Sequence, residues 1–172
     1  MDRESPKLFL QKCGLINMDL IKLINKYKNK ILDDSILIEY DLFFNNLFKE
    51  NCKFVFDNDK ELKELNDVIL EIKKIDKNAE IYVNTYGINF KNKRIFIYAD
   101  TLWIDTIVKL DEIFNIFRGF SKIEPSSIVS LDIDETIDGT ISLVFSLDGS
   151  TEDYESFIRN RRLSKIKSLY WD

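Results

Sequence analysis

The amino-acid sequence predicts an α+β fold, a single domain in which an antiparallel sheet packs against helices. Three observations carry that prediction. Apolar residues recur at steps of three and four up to Ile75, then switch to a period of two after Ala79. With 5 Gly and 2 Pro among 172 residues, no flexible linker or low-complexity tract divides the chain. At 45% apolar and 172 residues, the chain can bury about 70% of its unfolded surface in one core. The organisation expected is a helical part over 6–75 followed by a strand-rich part over 80–172.

Leu20, Leu23, Ile24, Tyr27 and Ile31 form one helical face, with Lys22, Lys26, Lys28 and Lys30 on the other. A short apolar run, Ile36-Leu37-Ile38, precedes a second helical pattern in which Phe43, Phe44, Leu47 and Phe48 share a face. Lys53 to Phe56 reads as a short strand. Asn58 and Glu61 have the spacing of a capping box, opening a helix whose stripe is Leu62, Leu65, Ile69, Ile72 and Ile75.

Beyond Ala79, Glu80 to Tyr86 alternates, with Ile81, Val83 and Thr85 on one side. Gly87 shifts the phase, and Lys91-Asn92-Lys93 turns the chain into a second strand from Arg94 that can run on to Asp105. Leu110, Ile113, Phe114 and Phe117 then make a helical face, with Gly119 at the position of a C-terminal cap. Ile128–Ile133 and Thr140–Leu147 read as a hairpin. A three-residue loop, Ile137-Asp138-Gly139, pairs Ile133 with Leu143 and Leu131 with Phe145, and sets Val129, Leu131, Ile133, Ile141, Leu143, Phe145 and Leu147 inward. Ser150 is placed to cap a short helix through Tyr154, Phe157 and Ile158, and Lys165–Trp171 supplies a last strand.

Composition removes several chemistries. The chain has no histidine, which takes away the commonest general base and zinc ligand and every Ser-His or Cys-His pair. Cys13 and Cys52 supply neither a CxxC site nor a zinc cluster and suit buried thiols in a reducing cytoplasm. Gly14, Gly87, Gly119, Gly139 and Gly149 are too dispersed for a phosphate-cradling loop. The run Leu8-Phe9-Leu10 is too short for a signal peptide, and no apolar stretch suits a membrane span, so a cytoplasmic location is expected. A net charge of −5 argues against nucleic acid as partner. No cofactor and no metal are expected. Asp132, Asp134 and Thr136 mimic the start of a calcium loop, but Ile137 and Leu143 stand where Gly and Glu are needed.

One motif points toward an enzyme. Ile128-Val129-Ser130-Leu131-Asp132-Ile133-Asp134-Glu135-Thr136 resembles the first motif of haloacid dehalogenase superfamily phosphatases, an apolar strand ending in DxDxT. That resemblance implies a magnesium-dependent phosphatase with Asp132 as nucleophile and Asp134 as acid/base. Only 36 residues follow Thr136, too few for the parallel crossovers such a fold needs. As outward carboxylates of an antiparallel strand, the same residues need no catalytic role.

Charge distribution points toward binding instead. Between Asp132 and Glu155 lie eight acids and no base, followed by Arg159, Arg161, Arg162, Lys165 and Lys167. The acids can form a solvated face or steer a basic protein, in which case Asp132, Asp134, Glu135, Asp138, Glu152 and Asp153 are the candidate partner-binding residues. The following cations are expected to pair with them. Trp103, Tyr170, Trp171 and Phe43-Phe44 are read as packing aromatics, with an interface anchor as the alternative.

The segment Ala99-Asp100-Thr101-Leu102-Trp103-Ile104, the helix Leu110 to Phe117 and the re-entry from Pro125 to Val129 together resemble small bacterial immunity proteins of contact-dependent or polymorphic toxin systems. That resemblance implies a non-catalytic inhibitor that binds and neutralises one cognate toxin, a basic one by charge complementarity. A generic adaptor domain is the other binding reading.

Overall fold

The computed structural model describes residues 18–31, 35–47, 51–56, 58–85, 95–131, 141–161 and 165–172. Expectations for Cys13, Gly87, the Lys91-Asn92-Lys93 turn and the Ile137-Asp138-Gly139 loop lie outside those residues. In chain order the elements are α1 (Leu20–Lys26), β1 (Ser35–Glu39), α2 (Tyr40–Asn45), β2 (Cys52–Phe54), α3 (Asp59–Ile75), β3 (Glu80–Thr85), β4 (Ile97–Asp105), α4 (Leu110–Arg118), β5 (Ser127–Ser130), β6 (Ile141–Phe145), β7 (Thr151–Asp153), α5 (Tyr154–Arg159) and β8 (Ile166–Tyr170).

Eight strands form one mixed sheet in the order β5-β8-β4-β3-β1-β6-β7, with β2 beside the first residues of β4. Most pairs are antiparallel, as the sequence predicts, while β1–β6 and β2–β4 are parallel. The sheet has two buried faces because its central strands alternate between two apolar sets. Along β4, Leu102 and Ile104 join the main core, whereas Trp103 points into a second cluster with Leu37, Tyr82, Val144, Phe157 and Ile166. Helices α1 to α4 contribute to the main core, and α5 covers the second cluster through Phe157.

Local signals explain most helix positions. Asn58 Oδ1 accepts from the Glu61 amide at 2.8 Å, so the capping box opens α3 where its spacing predicts. Leu65, Val68, Ile69 and Ile72 are buried along that helix, each contributing about 1.5–3 kcal/mol of hydrophobic stabilisation. Ile75, placed on the apolar stripe by periodicity, is instead 53% exposed, because the chain leaves the helix there. Asn46 locks α1 to α2 by accepting from Leu20 N and donating to the carbonyls of Met18 and Leu42. Its amide is almost fully buried, and these bonds offset the cost of that burial.

The antiparallel pairing of β3 with β4 follows the alternation: Glu80 faces Asp105, Tyr82 faces Trp103, and Asn84 faces Thr101. Thr85 then faces Ala99, leaving Asp100 as an extra residue in β4. The last strand also forms as expected, pairing with β4 from Thr101–Tyr170 to Asp105–Ile166.

The C-terminal half departs from the sequence reading in two places. The hairpin between Ile128 and Leu147 does not form: β5 pairs with β8 at one end of the sheet, while β6 lies between β1 and β7. Leu131 N donates to Ile166 O, and Phe145 sits beside Ile38 and Thr151 rather than opposite Leu131. The physical reason is that Leu143, Val144 and Phe145 are all buried, so β6 needs a neighbour on each side and cover on both faces. Val129 is correspondingly exposed at 46%, and Ile128 enters the main core in its place. The cap of α5 is Asp153, whose Oδ1 accepts from Ser156 N at 2.7 Å, because Thr151–Asp153 is a strand and holds Ser150 away from the helix. Gly119 is the C-terminal cap of α4, as its position predicts, with φ −74°, and among the described glycines Gly149 has a positive φ of +86°.

Candidate functional site

Two cross-strand carboxylates begin the site. Glu80 opens β3 and Asp105 closes β4, and the antiparallel register sets them directly opposite each other on the face covered by α5. Like charges in that position repel unless a cation lies between them. Arg161, just beyond α5, provides it. Its Nη2 lies 2.9 Å from Glu80 Oε2, its Nε 3.8 Å from Asp105 Oδ2, and its Nη1 3.7 Å from Glu152 Oε1 on β7.

The guanidinium is held from below as well. It stacks 3.8 Å from the centre of the Phe157 ring, and Nη1 donates to the Phe157 carbonyl at 3.0 Å. Tyr82 donates its hydroxyl hydrogen to Glu80 Oε2 at 2.7 Å, completing a chain of polar contacts above the second apolar cluster. The Nε–H of Arg161 is buried and has no hydrogen-bond partner among the described residues.

Glu80, Asp105, Glu152 and Arg161 line a shallow cleft of about 600 Å³, together with Asn160 and Lys165. The two cross-strand carboxyls feel different fields. Burial pushes Glu80 up, but hydrogen bonds from Arg161 and Tyr82 outweigh it and leave the group below its ordinary value. Burial and then the charge of Glu80 push Asp105 up, and Arg161, Lys165 and Lys167 only partly oppose them. Burial is thus the chief reason that the charged form of Asp105 is disfavoured.

The sequence-predicted site residues divide as follows. Glu152 lines the cleft. Asp153 does not: its carboxylate is turned to the amide of Ser156 and caps α5. Asp132, Asp134, Glu135 and Asp138 lie outside the described residues. The expected pairing of acids with the cations that follow is present in Glu152–Arg161 and in the exposed Glu155–Arg159 pair at 3.6 Å. Sequence reasoning missed Glu80 and Asp105, which lie far from the acidic block. Their only signal was the hairpin alternation, which pairs them once the register of β3 on β4 is known.

Of the aromatic positions, Phe43, Trp103 and Trp171 are buried and Phe44 packs partly buried against the main core, whereas Tyr170 is 38% exposed. Trp103 and Trp171 are 7% and 4% exposed, and Trp171 donates its indole N–H to Ile123 O at 2.7 Å while its ring meets Phe54, Phe56 and Phe117 edge-on. Cys52 is buried in the main core. No group of three or more carboxylates or thiols among the described residues is arranged to hold a metal ion, and no described helix is long and apolar enough to cross a membrane.

Comparison with known proteins returns no matching family model, no matching curated protein and no matching solved structure.

Proposed function

We propose that the protein is a non-catalytic binding protein that engages a basic protein through its acidic cleft, acting as an inhibitor that neutralises a cognate toxin. The observation that carries this reading is the position of Asp105 and Glu152. Both carboxylates line the cleft within ion-pair distance of Arg161 yet beyond hydrogen-bond length, so they keep acceptor capacity for a second cation. Glu80, Asp105 and Glu152 line the cleft against Arg161 and Lys165, an excess of one negative charge. An incoming Lys or Arg side chain relieves that excess, and the acids of the neighbouring sequence, Asp132 to Glu155, add long-range attraction.

The phosphatase reading finds less support. The strand that leads to Asp132 pairs antiparallel with β8 at one end of the sheet, whereas the resemblance implies a parallel arrangement.

The test begins with the gene beside this one. Its product, if a toxin, should form a complex with this chain and lose toxicity when both are made together. Asp105→Asn with Glu152→Gln should slow association by about tenfold at low salt, with the difference fading at high salt. Glu135→Lys with Asp138→Lys should act in the same direction. Association unchanged in both double variants would overturn the steering role. Magnesium-dependent phosphomonoester turnover that vanishes in Asp132→Asn would replace the binding reading with the enzymatic one.

A further inference from the structure

Strand β5 closes one end of the sheet, and β8 is the only strand beside it among the described residues. The direction of its free backbone groups follows from the register. Leu131 N donates to Ile166 O, so along the antiparallel ladder Leu131, Val129 and Ser127 turn their amides and carbonyls toward β8. Ile128 and Ser130 turn theirs the other way, out of the sheet, and make no backbone hydrogen bond on that side among the described residues. Side chains alternate along the same strand: Ile128 is buried in the main core, whereas Val129 is 46% exposed on the opposite face, beside Ser168. Tyr170, opposite Ser127, is 38% exposed on that face too.

Exposed strand edges are ordinarily guarded by charge. The other terminal strand, β7, is guarded in that way: it carries Glu152 and Asp153, and a second β7 laid against it would set carboxylates near carboxylates. Between Pro125 and Leu131 there is no charged residue, although 32% of the chain is charged. The β5 edge is also complementary to itself. With a two-fold axis at Val129, antiparallel pairing sets Ile128 opposite Ser130 of a second copy, so the outward backbone groups of both strands exchange their hydrogen bonds. Val129 meets its own counterpart in the non-hydrogen-bonded position, where side chains lie closest, and Ser127 meets Leu131, so no like charges face each other. We propose that β5 is a self-pairing edge, occupied by β5 of a second copy of this chain in that register, which continues the sheet through both subunits. The reading is independent of the cleft around Arg161, to which β5 contributes no residue.

The experiment is analytical ultracentrifugation of the full chain at concentrations up to about 100 μM, for the wild type, Val129→Lys, Val129→Glu and an equimolar mixture of the two variants. Val129 is exposed, and thermal melts of the dilute proteins check that all three fold equally. The wild type should form a dimer whose share rises with concentration. Each variant sets like charges against each other at the axis and should dimerise at least about tenfold more weakly, whereas the mixture sets Lys against Glu and should recover the dimer. In the wild type, amide hydrogen exchange at Ile128 and Ser130 should slow as the dimer fills, and in Val129→Lys it should stay fast. A wild type that remains monomeric throughout would overturn the proposal and leave the edge to an extended segment of another protein. A dimer that neither variant weakens, a mixture that stays monomeric, or exchange at Ile128 and Ser130 that ignores concentration would overturn it as well.

Discussion

Thr106 donates its hydroxyl hydrogen to Asp76 Oδ2 at 2.7 Å, joining the end of α3 to the chain that leaves β4, 30 positions later. The same carboxylate accepts from the amides of Ile107 and Asn78, both at 3.1 Å. Hydrogen bonding from Thr106, opposed by burial and reinforced by the two amides, holds the Asp76 carboxyl below its ordinary range. A depressed acid contributes stability that is present above its unfolded value and lost as pH falls through its folded value. Asp76→Asn turns an amide donor toward these donors and should cost about 2 kcal/mol at neutral pH. In urea titrations at several pH values, the gap to the wild type should narrow in acid; a constant gap would refute the linkage.

Arg161 is expected to matter for stability as well as for the cleft. Arg161→Ala leaves Glu80, Asp105 and Glu152 facing one another and removes the cation above Phe157. The cost should be about 2 kcal/mol, below that of a fully buried pair because Glu80 and Glu152 are partly exposed to screening water. It should be largest above the carboxylate range and shrink as pH falls and the acids protonate. Arg161→Lys should recover only part of it, since an ammonium cannot span three carboxylates while stacking on the ring.

Glu39 behaves in the opposite sense to Asp76. It accepts from Leu147 N at 2.6 Å, yet burial outweighs that bond, and Asp41, Glu80 and Asp148 add repulsion, so its carboxyl is raised. A raised acid contributes stability below its unfolded value and loses it as pH rises through the folded one. Glu39→Gln keeps an acceptor for Leu147 and should therefore raise the melting temperature at pH 7. The advantage should vanish below about pH 4. A lower melting temperature at pH 7 would show that the charge itself is needed.

Two glycines should respond with opposite signs. Gly149 has φ +86°, and an added Cβ would come 2.7 Å from Met18 Cε, so Gly149→Ala should destabilise by about 1–2 kcal/mol. Gly119 has φ −74°, with only Ile116 O at 3.5 Å near an added Cβ. Gly119→Ala should be neutral or stabilising by up to about 1 kcal/mol. Chemical denaturation of both variants decides it, and equal losses would refute the assignment.

The sequence by itself determined what depends on neighbours along the chain. The Asn58–Glu61 spacing places the start of α3, the period of Glu80 to Thr85 and of Ile97 to Asp105 makes strands, and the missing histidine removes whole classes of chemistry. Tertiary structure decided which strands meet. Alternation says that Leu143 and Phe145 share a face but not that β1 lies beside them, and the hairpin register drawn from it put Val129 in the core where the structure puts Ile128. A strand buried on both faces takes the neighbours that cover it best, whatever their distance in sequence, because closing a longer loop adds only about 0.6 kcal/mol per doubling of its length. For the same reason Arg161 reaches Glu80 across 81 positions. Its cluster depends on the register of β3 on β4 and on the packing of α5, and neither is written in the spacing of the residues that compose it.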